Sequence, residues 1–127
     1  MVDVIHTKAG TLGADEATGT VDFWPNGGHE QPGCSFTDGG SCSHDRSISY
    51  FAESVYAAEP TFYAIKCLQL ASFENQTCKG TLNNMGIDAK SRSAGNFFLQ
   101  TNSKSPFSRD LFGTHFIPYT DERESLN

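Results

Sequence analysis

The sequence is poor in basic residues and has no long apolar run. Its 127 residues include nine Lys and Arg against 15 Asp and Glu, which gives a formal net charge of −6. Binding of nucleic acid needs concentrated positive charge, and the basic residues are scattered singly, so no nucleic-acid partner is expected. No apolar stretch approaches the roughly 18 residues that a membrane-spanning helix requires, so no transmembrane segment is expected.

The sequence also lacks the spacings of common metal sites and the pattern of a signal peptide. The four cysteines form no CxxC pair and no two histidines stand four residues apart, so no metal site is expected. The first residues have neither a basic region nor an apolar core of the signal-peptide kind. Because the chain opens directly on a strand-like segment, we expect it to be a fragment of a longer protein.

Four cysteines in so short a chain favour an oxidising compartment, and therefore an extracellular, secreted protein. Three pairings are possible, and the short separations within each local pair favour Cys34–Cys42 and Cys67–Cys78. Asn75 opens an Asn-Gln-Thr acceptor for glycosylation, which agrees with an extracellular location.

Several segments have strand-like composition and one has the period of a helix. The strand-like segments are residues 2–7, a mostly buried strand, and residues 20–24 and 95–101. Residues 61–65 indicate a short extended segment, and residues 83–93 a loop. Ile48, Phe51, Ala52 and Val55 recur at i, i+3, i+4 and i+7, which predicts a helix with these side chains toward the core.

His44 lies at the predicted start of this helix, two residues after a cysteine. Ser43 is a plausible N-cap, which would make His44 the first helical residue. The helix dipole at that position favours a neutral imidazole, the form that a general base needs. Position alone leaves two interpretations open: a general base beside a disulfide-closed loop, or an ordinary polar residue at a helix start.

Five motifs stand in a fixed order along the chain. They are Val-Asp-Val-Ile-His-Thr at residues 2–7, Val-Asp-Phe-Trp-Pro-Asn-Gly-Gly at 21–28, Gln-Pro-Gly-Cys at 31–34, Cys-Ser-His-Asp-Arg-Ser at 42–47 and Gly-Asn-Phe-Phe-Leu-Gln-Thr-Asn at 95–102. Their order and spacing resemble the pancreatic lipase family of α/β-hydrolases, which includes triglyceride lipases and the insect and venom phospholipases A1. The resemblance implies an α/β class, with residues 1–108 as the C-terminal part of an α/β-hydrolase domain. Residues 109–127 lie beyond the match and end in a charged stretch, which predicts a poorly ordered tail.

The resemblance also implies a role for His44, as the histidine of a Ser-Asp-His triad. The family's nucleophilic serine and its aspartate lie upstream of the matched motifs, and no G-x-S-x-G occurs in the chain. The isolated chain is therefore expected to have no hydrolase turnover. The family's calcium ligands would also lie upstream, so no cofactor is expected. His6 is expected to be a hydrogen-bonded structural residue, and His29 to be exposed.

The loop from Cys34 to Cys42 resembles the family's lid, with Phe36 as its one bulky apolar residue. It is much shorter than the lid of triglyceride lipases, which favours the phospholipase A1 branch. The implied substrate is a lipid or phospholipid ester, with a lipid–water interface as a possible setting. Two alternatives stay open: a catalytically inactive, lipid-binding or yolk-type relative, and a free-standing interaction domain.

Overall fold

The computed structural model describes residues 2–9, 19–35, 38–91 and 94–119, so Phe36 lies outside the described residues. Within these ranges, five strands and two α-helices follow one another along the chain. They are β1 (Asp3–Ile5), β2 (Val21–Pro25), α1 (Ser41–Tyr56), β3 (Tyr63–Lys66), α2 (Leu70–Glu74), β4 (Leu82–Asn84) and β5 (Gly95–Leu99). Short 3-10 turns cover Asn26–Gly28 and Asp110–Thr114.

The strands form one mixed sheet in the order β1-β2-β5-β3-β4. β1, β2 and β5 are parallel, whereas β3 runs antiparallel to both β5 and β4. Phe23 of β2 stands beside Phe97 of β5, which sets the register at the centre of the sheet. The mixed sheet with its helices confirms the predicted α/β class.

Successive side chains of each strand point to opposite faces of the sheet, so buried apolar residues form one cluster on each face. One face carries the larger cluster, which consists of Val21, Phe23, Tyr50, Phe62, Ala64, Met85, Phe97 and Leu99. The other face carries Phe98, which packs with Phe73 of α2 and with Cys67. α1 and α2 therefore contribute to different layers of the molecule.

The helical period predicted α1, but the predicted buried side is wrong. The residues of α1 that are buried are Ser43, Arg46, Tyr50 and Ser54. Ile48, Phe51 and Val55, predicted to face the core, are 70%, 42% and 48% exposed. The polar side can face inward because its side chains have hydrogen-bonding partners, such as the Pro32 carbonyl for Arg46.

The start of α1 also differs from the sequence prediction. The helix begins at Ser41, after Gly40 with φ +90°, so His44 is its fourth residue rather than its first. The Asp38 carboxylate accepts from the backbone N–H of Gly40 and of Cys42, at 2.8 and 3.3 Å. The prediction of Ser43 as N-cap is wrong, because Ser43 lies inside the helix and its Oγ accepts from Gln31 N instead.

Three further segments differ from, or extend, the sequence predictions. β1 is half-buried rather than mostly buried, because it is the edge strand of the described sheet. Residues 82–84 form β4, where a loop was predicted from residue 83 onward. Residues 109–119, from the predicted tail, pack on the sheet: the Phe116 ring contacts Phe73, and Gln100 Nε2 donates to the Ile117 carbonyl at 2.8 Å. Residues 120–127 lie outside the described residues.

Candidate functional site

The carboxyl ends of the parallel strands β1 and β2 meet the start of α1. In open α/β sheets this end of the strands is where ligand sites form. Thr7, just beyond β1, donates from Oγ1 to the His44 carbonyl at 3.0 Å. This hydrogen bond joins residues that are far apart in sequence and fixes the backbone of His44 against the sheet.

The His44 side chain is exposed at this strand end. Within the described residues, no hydrogen bond to its imidazole is present, and its backbone N–H donates within the helix to the Gly40 carbonyl at 2.9 Å. The backbone is therefore held while the imidazole is open to a group that is not part of the described chain. An imidazole held in this way is available for proton transfer with a group brought within hydrogen-bonding distance.

The cysteine loop beside His44 is closed and anchored. The structure contains the Cys34–Cys42 disulfide, with the Cα atoms 5.6 Å apart. Arg46 donates to the Pro32 carbonyl at 2.9 Å and lies 3.1 Å from Cys34 Sγ. Its guanidinium also lies 4.6 Å from the centre of the Phe107 ring. Arg46 therefore holds the base of the loop against α1, a role that no local pattern in the sequence predicted.

A second set of polar contacts joins the first turn of α1 to the segments that follow β1 and β2. Lys8 Nζ pairs with Glu30 Oε1, and Ser43 Oγ donates to Glu30 Oε2 at 3.2 Å. Ser43 Oγ also accepts from the backbone N–H of Gln31 at 2.8 Å. The buried Ser43 hydroxyl both donates and accepts a hydrogen bond, so it has a structural role and is not a candidate nucleophile.

A buried polar network joins α1 to the segments that follow β2 and β5, and no local pattern in the sequence predicted it. Tyr50 Oη donates to Gln31 Oε1 at 2.8 Å and lies 3.0 Å from Thr101 Oγ1. Asn26 Nδ2 donates to both of these oxygens, at 2.9 and 2.8 Å. Burial raises the pKa of Tyr50 from 10.0 to about 12, although the hydrogen bond with Thr101 and the charge of Arg46 oppose the shift.

A histidine–aspartate pair is present elsewhere, at His6 rather than at His44. His6 Nε2 lies 2.7 Å from Asp22 Oδ2, and the His6 ring stacks on Trp24 with 3.8 Å between ring centroids. His6 is only 3% exposed, so its imidazole cannot reach a substrate. The prediction of a hydrogen-bonded, structural His6 is confirmed by this geometry.

The remaining candidate residues lie away from this strand end. The Cys67–Cys78 disulfide, with Cα atoms 5.3 Å apart, belongs to the layer of α2 on the other face of the sheet. Asn75 is exposed at the end of α2, and His29 is exposed as predicted. In the described ranges there is no group of three His, Cys, Asp or Glu side chains that could hold a metal ion. None of the described helices combines the length and apolar character needed to cross a bilayer.

Comparison with known proteins gives a consistent result. The family model described as Lipase matches residues 1–107. Lipoprotein lipase of Bos taurus and of Homo sapiens are each 29% identical over 133 aligned positions, which cover 84% of this chain and 28% of theirs. Hepatic triacylglycerol lipase of Mus musculus is 30% identical over 84% of this chain and 26% of its own. The chain therefore spans a little over a quarter of the length of these relatives.

Proposed function

Because this chain belongs to the lipase family, we propose that it supplies the general-base histidine, His44, of an enzyme that hydrolyses carboxylic esters of lipids. The observation that carries the proposal is the geometry of His44. Its backbone is fixed by α1 and by Thr7 at the carboxyl end of β1, while its imidazole is exposed and has no hydrogen bond within the described residues.

In this mechanism His44 takes the proton of a nucleophilic serine as the serine oxygen attacks the ester carbonyl. His44 then returns that proton to the leaving alcohol, and the same two steps with water release the acid. The serine, the aspartate that orients the imidazole and the oxyanion donors come from outside these 127 residues, since the sequence contains no G-x-S-x-G. Asp22 is not that aspartate, because it already pairs with the buried His6.

The finer substrate assignment is a phospholipid, cleaved in the manner of a phospholipase A1. Its support is the length of the cysteine loop, because the turn at Asp38–Gly40 passes directly into α1 and leaves only a few residues after Cys34 to cover a cleft. So short a loop offers little apolar surface for shielding long acyl chains or for docking on a lipid droplet.

The proposed location is extracellular, with a glycan on Asn75. Two disulfides in one small chain suit an oxidising compartment. Asn75 is exposed, and Thr77, the third residue of the acceptor, is exposed beside it, so the acceptor is sterically open. Expression in a secretory host should give a product whose mobility shift on enzymatic deglycosylation is absent in Asn75→Gln.

The test of the catalytic proposal joins the segment of bovine lipoprotein lipase that precedes its match to this chain directly to Met1. We expect this chimaera to hydrolyse p-nitrophenyl butyrate and the His44→Ala variant to lose about 10³-fold or more in kcat. His29→Ala is the matched control, because His29 is also an exposed histidine, and it should keep full activity.

Two results would contradict the proposal. One is a chimaera whose activity survives His44→Ala. The other is a burst of p-nitrophenol from the isolated 127 residues that His44→Ala abolishes, because the isolated chain is expected to have no nucleophile. A folded chimaera that binds a fatty acid but has no turnover would favour the lipid-binding alternative.

A further inference from the structure

Lys8 and Glu30 form an ion pair just beyond the carboxyl ends of β1 and β2. Lys8 Nζ contacts Glu30 Oε1. Lys8 directly follows Thr7, whose hydroxyl donates to the His44 carbonyl. Glu30 Oε2 accepts from the hydroxyl of Ser43, the residue before His44. Each member of the pair is therefore joined to the immediate surroundings of the exposed histidine.

The Lys8 side chain is held in place along its length. Its stem lies against Gly40, the residue with φ +90° that precedes α1, so closely that a Cβ added there would lie 2.6 Å from Lys8 Cε. The Lys8 side chain is 14% exposed, whereas that of Glu30 is 40% exposed. A ligand therefore meets two opposite charges whose positions are fixed before it binds, which lowers the entropy cost of binding.

Within the described chain, both charged groups keep hydrogen-bonding capacity for a ligand. An ammonium has three N–H donors, and the contact with Glu30 uses one of them. A carboxylate has about four acceptor sites, and Lys8 and Ser43 use one each. The pair is therefore able to bind an anion at Lys8 and a cation at Glu30 while its own contact is kept.

A glycerophospholipid presents these two charges in the same order. Its phosphate is separated by the glycerol unit from the ester at the first position, and in zwitterionic lipids a cationic amine follows the phosphate. We propose that the pair of Lys8 and Glu30 is the headgroup subsite, in which Lys8 binds the phosphate and Glu30 the amine of phosphatidylcholine or phosphatidylethanolamine. This inference rests on the proposed function, because an ester placed at His44 is what brings the headgroup to the pair.

The charges around the headgroup subsite favour a zwitterionic headgroup over an anionic one. The pair itself is neutral, and a zwitterion leaves neither of its charges without a partner. Asp45 is exposed in the first turns of α1, and the Asp38 carboxylate caps the start of that helix. Arg46 is directed instead to the Pro32 carbonyl and the Phe107 ring. The acidic surroundings therefore disfavour a phosphate whose charge no amine balances.

The test compares three substrates of the chimaera described above, namely phosphatidylcholine, phosphatidylglycerol and p-nitrophenyl butyrate, which has no headgroup. Each phospholipid rate is measured in the same neutral detergent micelles and divided by the p-nitrophenyl butyrate rate of the same variant, so a general loss of activity cancels. Lys8→Met should lower the phosphatidylcholine ratio about 10-fold, and Lys8→Arg should keep it, because a guanidinium also binds phosphate. Lys104→Met, at an exposed lysine elsewhere, should leave the ratio unchanged.

Glu30→Gln separates headgroup binding from a purely structural role of the pair. It leaves the charge of Lys8 without its partner, so hydrolysis of phosphatidylglycerol relative to phosphatidylcholine should rise about 10-fold. If the pair only holds the start of α1, Lys8→Met and Glu30→Gln will lower all three rates together and keep both ratios constant. That result would overturn the inference, as would a phosphatidylcholine ratio that survives Lys8→Met.

A binding measurement separates this inference from the catalytic proposal. In the His44→Ala chimaera, glycerophosphocholine should shift the amide NMR signals of Lys8 and Glu30, and Lys8→Met should abolish the shift at Glu30. These shifts in a chimaera that hydrolyses nothing would support the headgroup subsite and contradict the catalytic proposal. Hydrolysis that depends on His44, without these shifts, would support the general base and contradict the headgroup subsite.

Discussion

Tyr50 shows how one residue can hold several segments together. Its ring lies in the core against Phe62 and Phe107, and its hydroxyl bonds to Gln31 and Thr101. A buried phenol with two oxygen partners is stable as long as it keeps its proton. Loss of that proton would place an unsolvated negative charge in the core, which is why burial raises its pKa to about 12.

Stability should therefore fall at high pH because of Tyr50. Below pH 10 the phenol is protonated in both the folded and the unfolded chain, so it adds no pH dependence. Between its ordinary pKa of 10.0 and about 12 the folded chain holds a proton that the unfolded chain has lost. The free energy of unfolding should then decrease by about 1.4 kcal/mol per pH unit as pH rises. Urea unfolding at several pH values in this window should show that the free energy of unfolding falls less steeply with pH in Tyr50→Phe than in the wild-type chain. Equal slopes in the two proteins would contradict the prediction.

The pair of His6 and Asp22 gives a second prediction at this scale. Asp22→Ala leaves the buried His6 Nε2 without its partner and also removes the acceptor of the Gly19 N–H. We expect the free energy of unfolding to drop by about 3 kcal/mol, measured by urea denaturation. Asp45→Ala is the control on an exposed aspartate and should change stability by less than about 0.5 kcal/mol. A small effect of Asp22→Ala would show that water replaces the carboxylate.

At the scale of elements, α1 departs from the usual rule that a surface helix buries its apolar side and exposes its polar side. Its polar side faces the sheet through Arg46 and Tyr50, and its apolar side faces outward through Ile48 and Phe51. The polar groups of α1 contact other segments. Arg46 contacts the cysteine loop and the Phe107 ring. The Glu53 carboxylate accepts from the backbone N–H of Phe107 and of Ser108, at 2.7 and 2.9 Å. α1 therefore orients the loop and the segment after β5 together.

Arg46→Ala should uncouple α1 from the cysteine loop. The Pro32 carbonyl loses its donor and the Phe107 ring loses a covering cation, so we expect about 2–3 kcal/mol less stability. Lys104→Ala, at an exposed basic residue, should have almost no effect. Urea denaturation followed by tryptophan fluorescence measures both, and similar midpoints for the two variants would contradict the role of Arg46.

At the scale of the whole molecule, the two faces of the sheet differ in completeness. Residues 109–119 and α2 cover one face, through Phe116, Phe73 and Phe98. On the other face, α1 covers the larger cluster but leaves its own apolar side and the β1 edge open. One face of the described sheet is therefore covered by two segments, whereas the outer side of α1 carries no other described element.

The isolated chain should consequently bind apolar dyes in the groove of about 530 Å³ between β1 and α1, which Ile5, Ile48 and Phe51 help to line. We expect 8-anilinonaphthalene-1-sulfonate fluorescence to fall by roughly half in Ile48→Asp, because the charge interrupts the apolar surface of the groove. Stability should change by less than about 0.5 kcal/mol, since Ile48 is 70% exposed. Leu68→Asp should leave the fluorescence nearly unchanged, and an equal fall in both variants would show dye binding unrelated to the groove.

Local patterns predicted the elements whose side chains complete more than one period of alternation or of helical turn. β2, β5 and α1 have clear alternation or periodicity over five or more residues, and all three are present. α2 spans five residues, which is little more than one helical turn, and β4 spans three residues, so neither repeats its period and both were missed. The Tyr50 network was missed for a different reason: its partners Gln31 and Thr101 are 19 and 51 residues away.

The sequence by itself determined the two local cysteine pairs and the motifs that mark the lipase family, because each pair and each motif consists of residues close together in the chain. The α/β class followed from the resemblance that those motifs carry. Only the tertiary structure decided which side of α1 is buried and which histidine has an aspartate partner. Both depend on contacts between residues far apart in sequence, such as Thr7 with His44 and His6 with Asp22. A helical period gives the angle between side chains but not the direction of the core, and the sheet supplies that direction.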